Sequence, residues 1–430
     1  MTIMSTNAFV RDRSFWVQMA WGVLVSLLSA LGALLFVAVM NIGIKLLWPK
    51  APGAGLFSGP VRILVIMTLA GLVVGLIHHF LEAREMDVFE SMVKGRLEPR
   101  PVPGALLVSL ASLIGGFSLG PEVPTGMLAG GLTTWLSEKR KMTADAQNTN
   151  VVSGVVGTYG GLFTTPFAAL LMPIELAHQQ TPAFYGTLTI AAFAGVIGFG
   201  IFYAAGGGAF SEVLRILDLP IYRLRLWHLP MGIVLGVLGA VLALIFGFCM
   251  RSFGKLAAPL NRRPILRGAI GGFLLGLLGM ALPLTLFLGT AGLELVTKKG
   301  MEMGLVMVIV YAFAKILATS GALSTGFIGG PIFPLLFVGG TAGTALNMIF
   351  PDIPLALAVS CLMAAVPGAL LPVPLSLTVI VLLITGIPAT EAIPVFLAVI
   401  VAYAITHGLG LVGGGAAMKQ PHAAEESNAS

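Results

Sequence analysis

From Phe15 to Leu47 the chain carries no charge until Lys45. At about 1.5 Å per residue that run is longer than a bilayer core, so it predicts a tilted spanning helix. It is too long for the core of a signal peptide. Arg11 and Arg13 before it place its start on the cytoplasmic side. Apolar runs recur at Val61–Leu81, Pro103–Leu119, Val151–Ile174, Phe184–Ala205, Leu229–Met250, Ala269–Leu293, Leu305–Thr319, Ile328–Ile349, Leu355–Gly386 and Ala392–Val412. Several do not fit one straight span. Pro103–Leu119 is short, and Leu355–Gly386 is long and interrupted by Pro367, Pro372 and Pro374. Glycine and proline cluster inside apolar stretches at Gly115–Pro124 and Gly326–Pro334. Broken backbone survives in lipid only where protein or a wet cavity satisfies its polar groups. The pattern therefore predicts discontinuous helices around a site at mid-membrane depth.

The composition supports a membrane reading. The 430 residues are 57% apolar before glycine is counted, and only 10% are charged. Counting the 55 glycines and leaving out the six tyrosines raises the apolar share to about 68%, against about 45–50% for soluble domains. Surface-to-volume scaling gives a soluble globule no way to hide that much. Disordered, coiled-coil and nucleic-acid-binding classes are excluded with it, because the net charge of +6 is scattered between apolar spans. Cys249 and Cys361 lie within apolar runs and read as small buried hydrophobes, with no disulfide and no metal ligation. Expected segments are a cytoplasmic N-terminal piece (1–14), a first membrane repeat (15–217), a connection (218–228), a second repeat (229–415) and a disordered tail (416–430). The charged stretches Glu82–Arg100 and Ser137–Asn150 read as loops or helix ends at the cytoplasmic surface.

Evidence for the repeat comes from sliding the sequence over itself. At an offset of 210, Gly116–Pro124 falls on Gly326–Pro334 with Gly, Phe, Gly, Pro and Pro coinciding. At 208, Leu162–Phe167 falls on Leu370–Leu375, so a proline opens an apolar helix in each half. The matches leave open whether the two copies are parallel or inverted.

Each break suggests anion chemistry. Glycine allows close approach of backbone to a ligand, and proline suits the first turn of a helix. Gly120-Pro121 and Gly330-Pro331 thus read as helix starts inside the membrane. A helix start presents unpaired N–H groups and about half a positive charge. Two starts converging from opposite halves hold an anion without a full positive charge. The backbone amides around Gly120, Glu122, Val123, Gly330, Ile332 and Phe333 are the candidate donors; packing kinks are the competing reading. Glu122 favours the site. A carboxylate at membrane depth costs about 2.5–3.5 kcal/mol on insertion scales for Asp, and a helix N-terminus offsets part of that. There it occupies the field that binds a free anion, and protonation releases it. One residue thereby gates an anion path and carries a proton.

These residues resemble the CLC family of chloride channels and proton-coupled anion antiporters. Gly120-Pro121-Glu122-Val123-Pro124 is similar to that family's Gly-x-Glu-Gly-Pro motif, with Glu122 at the gating glutamate. Gly330-Pro331-Ile332-Phe333-Pro334 is similar to its Gly-x-Phe-x-Pro motif, with Ile332 at the Phe position. Lys315 and Ser320-Gly321 precede it as a basic residue and a Ser/Gly run do there. Phe163-Thr164-Thr165-Pro166, with Glu175 nine residues beyond the proline, resembles the family's Asn-Ala-Pro helix ending in Glu. The forms match a divergent bacterial branch of ion-transport proteins, and the resemblance runs from about Ala30 to Gly410. It implies an all-α membrane protein built as an inverted repeat of tilted, discontinuous helices. It also implies a homodimer with one pore per subunit, a small inorganic anion such as chloride as substrate, and protons as a second cargo. No cofactor or metal and no enzymatic activity are expected. The location implied is the bacterial inner membrane, multi-pass.

Departures mark where the resemblance stops. Glu85–Ser91 stands in place of the family's Gly-Ser-Gly-Ile-Pro segment, and Ser91 is not assigned the missing serine's role. No central tyrosine appears in Thr406–Gly415. The antiporters' internal glutamate falls on Leu176, with Glu175 one residue early, and one residue rotates a helical side chain by about 100°. Selectivity for chloride and proton coupling are thereby open. A transporter for an organic anion on the same scaffold is the alternative. An intramembrane enzyme has no His-Glu-x-x-His and no histidine near Ser320 or Ser324. Lys315 reads as structural or as a source of positive field. His78 and His79 read as interfacial, His178 as a further proton-path candidate, and Trp16, Trp21 and Trp48 as interfacial anchors.

Overall fold

The computed structural model describes residues 12–48, 59–177, 181–206 and 217–410. The N-terminal piece up to residue 11, His178 and the tail from 411 onward lie outside the described residues. The helices run α1 (Arg13–Leu47), α2 (Val61–Phe80), α3 (Val88–Lys94), α4 (Val102–Ile114), α5 (Glu122–Lys139), α6 (Ala144–Leu162), α7 (Pro166–Leu176) and α8 (Pro182–Gly206). A second series follows: α9 (His228–Ala257), α10 (Pro264–Ala281), α11 (Thr290–Met303), α12 (Leu305–Ser324), α13 (Ile332–Ile349), α14 (Leu355–Gly368), α15 (Pro374–Thr385) and α16 (Ile393–Gly408). The two series share their rhythm: two long helices, a short one, and a helix that stops at a Gly/Pro break. After the break come one further helix, a pair divided by a proline, and a closing helix. Seven helices (α1, α2, α8, α9, α10, α12 and α13) are long and apolar enough to cross a membrane among the described residues.

Local chemistry explains the divisions. The run Val151–Ile174 is two helices. Thr164 takes a left-handed φ of 53°. Thr165 caps α7 by accepting from the Ala168 amide, and Pro166 opens the first turn. Leu355–Gly386 divides in the same way, with Pro374 opening α15. Ala269–Leu293 is broken between α10 and α11 by a turn containing Phe287 at φ 56° and Gly289 at φ 97°. Inside the charged stretch Glu82–Arg100 lies α3, whose Asp87 accepts from the Glu90 amide and whose Gly95 ends it at φ 66°.

Two compact units divide the chain. The first comprises Met1–Ala38, Glu85–Pro103 and Glu122–Leu214; the second comprises Val39–Arg84, Gly104–Pro121 and Arg215–Ser430. They cut across the repeat, since α2 and most of α4 fall in the same unit as the second series of helices. Within the first unit, α6 lies against α8 backbone to backbone. A Cβ on Gly198 would stand 1.7 Å from the Gly157 carbonyl oxygen, and one on Gly160 would stand 2.5 Å from that of Gly195. Within the second, α2 and α10 meet the same way through Gly71 and Gly268. Lipid tails remove the hydrophobic drive between helices, so close contact across small residues supplies the association.

Candidate functional site

Both Gly/Pro breaks are held in the second unit, as far as Pro121 on one side and into α13 on the other. The chain turns after α4 at Gly116 (φ 90°) and after α12 at Gly326 (φ 95°). Only glycine takes such angles at little cost. Phe117 and Phe327 stack with ring centres 3.8 Å apart. Gly120 and Gly330 then form an antiparallel pair, each amide donating to the other's carbonyl at 2.8 Å. The Ser118 and Thr319 hydroxyls are 2.8 Å apart. Thr319 also donates to the Lys315 carbonyl at 2.9 Å, so Ser118 is the donor of the pair.

This geometry corrects one expectation. The Gly120 and Gly330 amides are spent on each other, so these glycines join the breaks and do not offer donors. Helix α5 begins at Glu122 and α13 at Ile332, each two residues along the chain from the paired glycines. Pro331 is the residue before α13, one place earlier than a first-turn proline, and its carbonyl receives the Leu335 amide at 2.9 Å.

The helices that run into the breaks end on carbonyls, the negative pole of the helix dipole. Donors cover those ends. Trp48 Nε1 reaches the Ile114 carbonyl at 2.8 Å, and the Phe287 amide reaches that of Gly116 at 3.0 Å. On the other break, Arg267 Nη2 reaches the Ser324 carbonyl at 2.6 Å, and His78 Nε2 donates to that of Gly326 at 2.8 Å. Trp48 and His78 therefore serve the breaks, a role their places near helix ends did not announce.

In the first unit Glu122 is buried, with 1% of its surface exposed. Its carbonyl accepts from the Tyr159 hydroxyl at 2.9 Å and from Thr125 Oγ1 at 3.1 Å. Val123 follows it, half-buried. Tyr159 escaped the sequence reading; a lone phenol in the Gly-rich run of α6 was its signal. Gly126 leaves it room, since a Cβ there would stand 2.3 Å from the hydroxyl. In the second unit Ile332 and Phe333 are buried at the start of α13. Glu175 is half-buried at the penultimate position of α7, and Leu176 beside it is buried. Ser91 donates back to the Val88 carbonyl at 2.6 Å, a local helix bond. Among the described residues no three His, Cys, Asp or Glu side chains gather as a metal site.

Glu85, in the connection between α2 and α3, is a titratable neighbour of Glu122. Its carboxyl is pushed up from an ordinary 4.5 to about 8, first by burial, then by the charges of Asp87 and Glu122. The segment runs along α5: the Met86 amide lies 3.4 Å from Met127 Sδ, and Val88 packs where a Gly126 Cβ would stand. A raised acid pKa means the folded state holds the proton more tightly than the unfolded chain. Its contribution to stability is complete below about pH 4.5 and lost as the pH rises through about 8. The slope is at most about 1.4 kcal/mol per pH unit. Thermal unfolding in detergent is expected at a lower temperature at pH 8 than at pH 5. Glu85→Gln is expected to remove much of that difference by stabilising the protein at pH 8. An unchanged difference in the variant would assign the pH effect to other groups.

Comparison with known proteins places the chain in a family. The profile of the family described as "Voltage gated chloride channel" matches residues 70–407. A protein of Salmonella paratyphi A named "Putative ion-transport protein YfeO" is 28% identical over 350 residues, spanning 78% of this chain and 82% of its own. The protein of the same name from Salmonella schwarzengrund is also 28% identical, over 79% of this chain. Among solved structures, a CLC-type fluoride/proton antiporter matches with a TM-score of 0.73 at 17% identity, covering 91% of this chain and 95% of that one. A slow cyanobacterial Cl-/H+ antiporter matches with a TM-score of 0.71 at 20% identity, covering 92% and 95%. The all-helical fold is thus that of those CLC structures, and the chain, a multi-pass membrane protein, belongs to the voltage-gated chloride channel family.

Proposed function

We propose that this protein moves a small inorganic anion, chloride or a similar halide, across the membrane as a channel or proton-coupled exchanger. The observation that carries the reading is the reciprocal Gly120–Gly330 pairing at 2.8 Å, two residues before the start of each of two helices. A helix start gives partial positive charge without a fixed cation. The donors in this reading are the amides of Val123, Ile332 and Phe333. Glu122 is the gate, and Glu175 is a candidate proton acceptor. Proton-coupled anion exchange by two proteins of like fold supports the reading. The protein acts as a transporter, not an enzyme. It works as a homodimer in the bacterial inner membrane, with residues 15–217 and 229–415 as its two repeats joined by 218–228.

The test is flux in proteoliposomes. An imposed chloride or fluoride gradient is expected to drive anion movement, and in an exchanger to drive protons uphill at a fixed ratio. Unlabelled halide is expected to compete, and organic carboxylates are not. Flux carried only by an organic anion would transfer the site to the alternative substrate class, and no anion flux at all would overturn the proposal.

A further inference from the structure

Lys315 lies within α12, wholly buried. Its Nζ donates to the carbonyls of Thr285 at 3.0 Å, Leu286 at 3.2 Å and Phe287 at 2.7 Å. It also stands 5.2 Å from the centre of the Phe337 ring. An ammonium has three N–H donors and no acceptor, so three carbonyls use all of them. Nothing is left to hand to a permeating ion.

The three acceptors are consecutive residues of the turn between α10 and α11. Holding consecutive carbonyls on one cation requires unusual backbone, and Phe287 sits at φ 56°, a region that side-chain-bearing residues rarely adopt. The opposite side of the turn faces the first break. The Phe287 amide donates to the Gly116 carbonyl at 3.0 Å, and its ring meets Trp48 edge-on at 5.3 Å. Trp48 in turn holds Ile114, the last residue of α4. One helical turn beyond Lys315, Thr319 receives the Ser118 hydroxyl. α12 therefore grips the Gly116–Gly120 segment at two places, and the first grip passes through the ammonium. The second break is held differently, by Arg267 on the Ser324 carbonyl: position 105, the repeat counterpart of Lys315, is alanine.

We propose that Lys315 is a positioning residue. Its ammonium clamps the turn at 285–287, and through the Phe287 amide it fixes the backbone of the Gly116–Gly120 break and hence the Gly120–Gly330 pairing. The consequence for transport rests on the anion-site reading of that pairing; the clamp itself does not.

Two measurements on the full-length protein separate those claims. Hydrogen–deuterium exchange in detergent reads the clamp, and chloride and nitrate flux in proteoliposomes reads its effect on the site. Lys315→Met is expected to speed exchange at Gly116–Gly120 at least tenfold. It is also expected to lower flux at least tenfold and shift the chloride-to-nitrate ratio of the remainder at least threefold. Lys315→Arg keeps the charge but replaces a compact ammonium with a planar fork in a closed site, and is expected to fail similarly. Lys315→Gln keeps two donors without the charge and is expected to lie between. Wild-type flux and selectivity in Lys315→Arg would overturn the proposal, because charge alone would then suffice. Unchanged exchange in Lys315→Met, or in Lys315→Gln should the Met variant not fold, would also overturn it. A wild-type protein that carries no anion would defeat the anion-site reading, while the exchange result would still decide the clamp.

Discussion

Gly339→Ala is expected to destabilise the protein by about 3 kcal/mol, the upper part of the range for an overpacked interior. The added methyl would stand 2.2 Å from the Leu362 carbonyl oxygen, 2.6 Å from its carbon and 2.7 Å from the Met363 Cα. All three atoms are backbone of α14, so no side chain can swing aside. Gly343, one turn on, has the same relation to Ala358 and Val359, and relief at one point loads the other. Only separation of α13 from α14 makes room. Ile332 and Phe333 open α13, so that displacement reaches the proposed donors as well. In detergent, Tm is expected to fall by about 3 °C, with flux falling alongside. Gly200→Ala is the matched control: Gly200 is exposed on α8 and a Cβ there meets nothing within 4 Å. It is expected to be neutral or to gain up to about 1 kcal/mol from helix propensity. Equal melting of the two variants would contradict the packing of α13 on α14.

The same contrast shows what the amino-acid sequence makes legible. Apolar runs mark most of the helices, because lipid imposes a length and a composition on anything that crosses it. The breaks at Gly116–Pro124 and Gly326–Pro334 are visible because left-handed backbone and helix starts call for glycine and proline. Phe287 and Thr164 adopt the same left-handed backbone without glycine, so those positions carry no mark of their own even though Gly289 and Pro166 stand close by. The short helix α3 has both its signals, Asp87 before it and Gly95 after it, but its charges resemble those of a loop. Acceptors are harder still. The hydrogen-bond acceptors of the Lys315 ammonium are main-chain carbonyls about thirty residues away, and a carbonyl has no residue identity to read. Sequence could therefore say that a buried lysine needs a partner and not which one. Glu85 fails to stand out for a related reason: of the causes that raise its proton affinity, only Asp87 is local in the chain, while burial, the largest, and Glu122 are not.

Glu122→Gln is expected to remove the pH dependence of anion flux and to hold it near the rate that the wild type reaches in acid. The residue is buried at the first position of α5, where a carboxylate is favoured by the same partial charges that would draw a free anion. In the proposed gate, carboxylate and halide therefore exclude one another. There, as the pH falls, the carboxylate would take up a proton, its attraction to the helix start would fade, and the halide would gain the place. Wild-type flux should rise with acidity for that reason. Glutamine has nearly the same shape and stays neutral, so it mimics the protonated state at every pH. The backbone there is tied independently of the side chain, by Tyr159 and Thr125 to the residue's own carbonyl, so the substitution leaves the start of α5 in place. If the wild type is an exchanger, the same variant should lose proton movement while anion flux continues, since the titrating group is gone. Liposome flux at pH 4.5 and pH 7.5 decides the matter. A glutamine variant that kept the wild-type ratio between those two rates would remove Glu122 from the gate and shift attention to Glu85, the neighbouring carboxyl that titrates near pH 8.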